Sequence, residues 1–196
     1  MRWRILVVFL LAFGLWKLWS EREISRPPGE LVPNLPVQAA VEGGARALSK
    51  NGYQIEPLEN LTLEARVLGA ERYRFGREAD LSPLDLALGW GPMSDSAILE
   101  SIAISQGNRF YYWRVEEFPI PRREIETNSA NMHMIPASAE VERQLASVRA
   151  GSLIRLEGYL VEVSADDGWR WRSSLTREDT GNGACELVWV ERLEVL

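Results

Sequence analysis

The sequence predicts a mostly β protein with short helical insertions (α+β), an antiparallel barrel or sandwich behind an N-terminal transmembrane helix. Three observations lead there. Beyond residue 37, apolar residues recur at every second position in several short runs, the mark of half-buried strands. Glycines, prolines and capping residues interrupt those runs at close intervals. The first twenty residues form a near-continuous apolar stretch unlike the rest of the chain.

Composition narrows the classes. Of 196 residues, 46% are hydrophobic and 26% charged, which is globular rather than disordered. One Cys excludes an internal disulfide framework and a cysteine-built zinc site, and one His limits metal chemistry further. No metal and no cofactor is expected. The net charge is −6, with 22 basic and 28 acidic residues. Residues 1–20 hold three of the basic residues, Arg2, Arg4 and Lys17, and no acid. The remainder therefore carries 19 basic against 28 acidic residues, a net −9. Such a body argues against nucleic acid as a partner.

Residues 1–20 read as a transmembrane anchor. Positions 5–16 are uncharged, and Trp3 to Trp19 spans seventeen residues. A bilayer core of about 30 Å needs ~20 helical residues, with about 17 as the lower limit. The flanking Trp residues suit the headgroup belt, and Lys17 can snorkel outward. A cleaved signal peptide competes with this reading. However, GLWKLWS at 14–20 puts Trp and Leu where cleavage needs small residues. Arg2 and Arg4 favour an N-terminus inside and a body outside the cytoplasm. Residues 21–36 follow as a Pro-rich linker, with four prolines in SRPPGELVPNLP, expected as an extended spacer that holds the body off the membrane.

Residues 37–196 form one β-rich domain. Residues 37–50 suggest a short helix through Val37, Val41, Ala45 and Leu48. Leu61, Leu63, Ala65 and Val67 alternate as a strand, and Tyr73 and Phe75 alternate with Arg72 and Arg74. Ser82-Pro83 reads as an N-cap and first helical residue, with Asp85 completing an imperfect capping box and Gly89 closing the helix. Ser94 or Asp95 would cap a second short helix through Ile98, Leu99 and Ile102. QGNR at 106–109 turns a hairpin between 102–105 and 110–115. Ser138 starts a helix through Val141, Leu145 and Val148, ended at Ala150-Gly151. Strands at 153–163 and 169–175 are joined by ADDG, and a last strand runs from Cys185 to 195.

Three groups are candidate sites. Cys185 and His133 suggest a nucleophile and base acting on peptide or acyl bonds, with Arg177 aiding the oxyanion and Asp179 orienting His133. Alternatively, Cys185 is a small buried hydrophobe and His133 a satisfied polar residue. Trp169 and Trp171 share one strand face with Arg170 and Arg172 opposite, and Trp113 lies in YYW. Aromatic faces beside arginines can bind a peptide or sugar, or they can be core. Asp80, Asp85 and Asp95 in DLSPLDLALGWGPMSD are read as turn and cap residues rather than a carboxylate cluster.

A membrane segment, a β-rich body, a His ahead of a helix and a later Cys together resemble a sortase. The passage after His133, a helix followed by Gly151 and IRLEGYLVEV, is similar in rhythm. The sortase cysteine ends a strand, whereas Cys185 is expected to begin one. The segments LSPLDLALGWGPMSD, SANMHMIPA and DGWRWRSSLTREDTGNGACELVWVE resemble an uncharacterised family of small single-pass envelope proteins of Gram-negative bacteria. That resemblance implies an inner-membrane anchor and a periplasmic body, and brings no catalytic residue with it. The function expected is an envelope binding or assembly module with a protein or peptide partner. The alternative is the Cys–His enzyme.

Overall fold

The computed structural model describes Trp3, Val7, Gly14 and residues 22–43, 47–176 and 184–196. The expected anchor falls almost wholly outside these residues. Among the described residues, no helix is long and apolar enough to cross a membrane.

The protein is mostly β, built on one long strand. β1 (Val37–Ala40) and β2 (Leu48–Lys50) precede β3 (Tyr53–Arg72), whose Leu61, Leu63, Ala65 and Val67 are all buried. β4 is Leu84–Gly89, and β5 (Ala103–Gly107) and β6 (Phe110–Arg114) form a separate hairpin. β7 is Ser129–Pro136, β8 Leu153–Ser164, β9 Arg170–Arg172 and β10 Glu186–Val195. Beside a 3-10 helix at Gly91–Ser94, four short α-helices have ranges among the described residues: α1 (Arg77–Leu81), α2 (Ser96–Leu99), α3 (Arg122–Thr127) and α4 (Ala139–Ser147).

One edge of β3 pairs with β8, from Gln54↔Ser164 to Arg66↔Leu153. Its other edge takes β2, β1 and β4 in turn. β4 pairs with β7, β7 with β10, and β10 with β8, so the pairings return to their start. Every contact in this ring is antiparallel except β7–β10. A parallel pair needs a long crossover, and α4, β8 and β9 provide it. The main core lies within the ring and draws on all five strands, including Leu63, Leu86, Met132, Leu156 and Val188. Val141 and Leu145 of α4 join it, and Ser138 caps that helix by accepting from the Val141 amide. A second cluster, with Ile55, Val163, Leu187 and Trp189, packs with Trp169 and Trp171.

Several expectations change. Residues 37–40 and 48–50 are strands, not one helix. The helix expected at 82–89 is strand β4. All six of its residues are buried, so both faces are apolar or covered, and the run lacks the polar alternation of a half-exposed strand. β3 stops at Arg72, where the Tyr73 amide turns to the Pro83 carbonyl and Phe75 is left exposed. β9 covers only 170–172, and Cys185 sits just ahead of β10. The helix at 96–99 and the hairpin turn at 106–109 stand where they were expected, with Asp95 accepting from the Ala97 amide as the helix cap. The Pro-rich segment is seated on the body rather than spanning free space: Val32 is 2% exposed, within the main core.

Candidate functional site

The side of β4 and β7 that carries Asp85, Asn131 and His133 is polar and buried. Asp85 lies opposite His133 in the ladder. Its Oδ1 is 2.7 Å from Arg109 Nη1 and 3.0 Å from His133 Nδ1. Oδ2 has no hydrogen-bond partner among the described residues. A carboxylate this buried requires a paired cation, because desolvation of a lone charge is costly.

The hairpin delivers that cation. Gly107 and Phe110 pair directly, leaving Asn108 and Arg109 as a two-residue turn with φ of 53° and 70°. Positive φ at both positions matches a type I′ turn, in which Asn is at home and Arg is strained. Arg109 holds there through many contacts. Its guanidinium stacks 3.8 Å over the Tyr73 ring and donates to the Ser82 carbonyl at 2.9 Å. Its amide donates to Tyr73 Oη at 2.9 Å. Its carbonyl accepts from Asn131 Nδ2 at 3.0 Å and from the Cys185 thiol at 3.7 Å. Gln106 adds a bond to Asn131 Oδ1 at 2.8 Å and packs against Gly69, where a Cβ would come within 2.5 Å of Gln106 Oε1.

Arg109 thus links the two candidate reactive residues. Its guanidinium shares Asp85 with His133, and its carbonyl receives Cys185. The carboxylate beside His133 is Asp85; Arg177 and Asp179 lie outside the described residues. The His133 ring is 4.9 Å from Trp171, which in turn is 6.1 Å from Trp169. Arg77 lies over Trp169 and Arg109 near Trp171, so the stacking cations come from α1 and the hairpin. Arg170 and Arg172 instead pair with Glu162, and the Arg172 bond holds that carboxyl below the usual range.

Trp113 is elsewhere. It meets Phe118 edge-on at 6.1 Å, with Arg122 over its face. With Tyr111, Phe118, Glu126, Cys185 and Glu186 it lines a cavity of about 620 Å³ beside β6. Ser129 donates to the Ile125 carbonyl, so the Tyr111 hydroxyl is the donor to Ser129 Oγ. Burial pushes the Tyr111 phenol up to about 12. Asp85, Arg109, Tyr73 and Tyr111 were not read as site residues from sequence. The one signal was an isolated acid inside the apolar run LDLALG. Among the described residues, no group of three or more His, Cys, Asp or Glu side chains could hold a metal. No family model matches the chain, and neither a curated protein nor a solved structure matches it.

Two outcomes follow. Arg109→Met should cost about 3–5 kcal/mol in urea unfolding, because it strands Asp85. Adding Asp85→Asn should restore part of that loss, a coupling of about 0.5–3 kcal/mol. For Tyr111 the folded-state pKa is raised, so the folded state holds the proton more tightly than the unfolded chain. Its stability contribution is complete below about pH 10 and is lost as pH rises toward 12. Tyr111→Phe should flatten the stability profile across that window.

Proposed function

We propose that the protein is a membrane-anchored extracytoplasmic binding or assembly module of the cell envelope, with its anchor in the inner membrane and its body in the periplasm. The observation that carries this reading is the cavity of about 620 Å³, which runs along all five residues of β6. Among the described residues β6 pairs only with β5, and an extended chain adding along its other edge would complete a third strand. Aromatic rings and charges of both signs line the space, which suits a protein or peptide segment better than a uniform ligand.

The closed ring is read as a small barrel. Its order is that of the five-stranded OB architecture, which binds ligands on its second and third strands and adjoining loops. In this chain those are β4 and β7 with residues 73–83 and 165–176, and they carry Tyr73, His133 and Trp171. This support is by analogy of fold. The −9 body argues against nucleic acid in that place.

Photo-crosslinking from a benzophenone amino acid at Tyr112, an exposed residue of the cavity wall, tests the reading in intact envelopes. A discrete protein adduct that disappears with Trp113→Ala is expected. Absence of any protein adduct, or one indifferent to Trp113→Ala, would refute it. A Cys–His enzyme acting on peptide or acyl bonds is the second reading. A carboxylate close to the imidazole favours it: Asp85 Oδ1 is 3.0 Å from His133 Nδ1, outside hydrogen-bond geometry. An activated Cys185 must be alkylated well below pH 8; alkylation that follows an ordinary thiol pKa of about 8.5 removes this reading.

A further inference from the structure

The segment expected as a spacer is fastened to the body almost from its first described residue. The Ile24 amide donates to the Ala150 carbonyl at 2.9 Å, and Arg26 Nε donates to the Gly151 carbonyl at 2.8 Å. Ser96 Oγ donates to the Arg26 carbonyl, and the Gly29 amide donates to Asp95 Oδ1. The Leu31 and Val32 amides both reach Ser94 Oγ, and the Gly91 amide returns a bond to the Val32 carbonyl. Contact at Gly151 is so close that a Cβ there would lie 2.0 Å from the Ile24 carbonyl oxygen, and its φ of +81° also excludes ordinary side chains. This strap is part of the fold.

The consequence is a distance. Ile24 is five Cα–Cα steps beyond Trp19, the end of the apolar run. At most about 3.6 Å per residue, they span no more than ~18 Å. A body tied at Ile24 therefore cannot stand off on a stalk. The surface at that point is cationic. Arg22 is exposed, Arg26 is at the tie, and exposed Arg72 donates to the Ala146 and Val148 carbonyls just ahead of it. Glu21 and Glu23 are the acids on this stretch, and Glu23 lies 3.6 Å from Arg66.

We propose that the face formed by residues 22–26 and the turn from α4 to β8 lies on the membrane surface, where Arg22, Arg26 and Arg72 meet anionic phospholipid headgroups. This rests on the anchored reading above. The tether lets this face come within about one Debye length of the headgroups, roughly 8–10 Å, where the charges act.

The test uses the full chain with Cys185→Ser, labelled with a fluorophore at a single new cysteine and reconstituted into phosphatidylcholine–phosphatidylglycerol vesicles that carry a headgroup nitroxide. Ser147→Cys places the label at the exposed end of α4, near the tie. Asp166→Cys places it in the exposed turn past the opposite end of β8. Quenching is expected at 147 and not at 166. Converting both Arg22 and Arg26 to Gln should lower the docked-to-free ratio about fivefold per arginine. Equal quenching in the unaltered chain overturns the proposal. So does quenching at 147 that ignores both phosphatidylglycerol and the arginines. Release of the chain from vesicles by alkaline carbonate would overturn the anchored reading itself, and the proposal with it.

Discussion

β3 has hydrogen-bonded partners along both edges, and the rest of the protein is arranged around that fact. Twelve register pairs tie one edge to β8, while β2, β1 and β4 share the other. A twenty-residue strand can serve so many neighbours only by bending. Its register shifts at Pro57/Glu59 and again at Val67/Gly69, where bulges raise local twist. Because β8 and β4 lie on opposite edges of one strand, the remaining pairings lead from β4 through β7 and β10 back to β8, and all five strands contribute to one apolar cluster. Gly69, at the second shift, also leaves the room that Gln106 fills, so the bend that closes the ring seats the hairpin too.

A single buried carboxylate then sets the outer layer. Asp85 sits where β4 and β7 are both covered, and its charge has to be met from outside the sheet. Arg109 meets it from a strained turn, stacked on Tyr73, with its carbonyl binding Asn131 and Cys185. Removing one member leaves several polar groups buried without partners, so these residues act as a unit. The His133–Asp85 contact belongs to the same unit.

Much of this architecture was legible in the sequence where one face of an element is wet. The strand through Leu61 and Val67, the hairpin turn at 106–109 and the Ser138 cap all carry local signals. Where both faces are covered, the pattern fails. LDLALG has no polar alternation, and Ser82-Pro83-Asp85 imitates a helix start, so β4 was read as helix. The site was less legible for a different reason. Arg109 and Asp85 are 24 residues apart, and Arg77 and Trp169 more than 90, so no local spacing announces their contacts. Trp171 was read from its strand neighbours Arg170 and Arg172, but those side chains turn to Glu162. The four prolines argue against a helix or strand at 25–36, and the structure describes neither there. They gave no sign that Ser94, Asp95 and Ser96 would bind its backbone and side chains.

The hairpin β5–β6 shares no backbone ladder with the ring. It is held by Gln106, Arg109 and Tyr111, and by a small apolar cluster of Met93, Ile102 and Ile125 against Ile104 and Trp113. An isolated two-stranded sheet is marginal in water. The hairpin is therefore a separate cooperative unit, one that opens at a lower free energy than β3 or β8 without unzipping either. Its position against the ring, and with it the width of the cavity along β6, is then set by side-chain contacts.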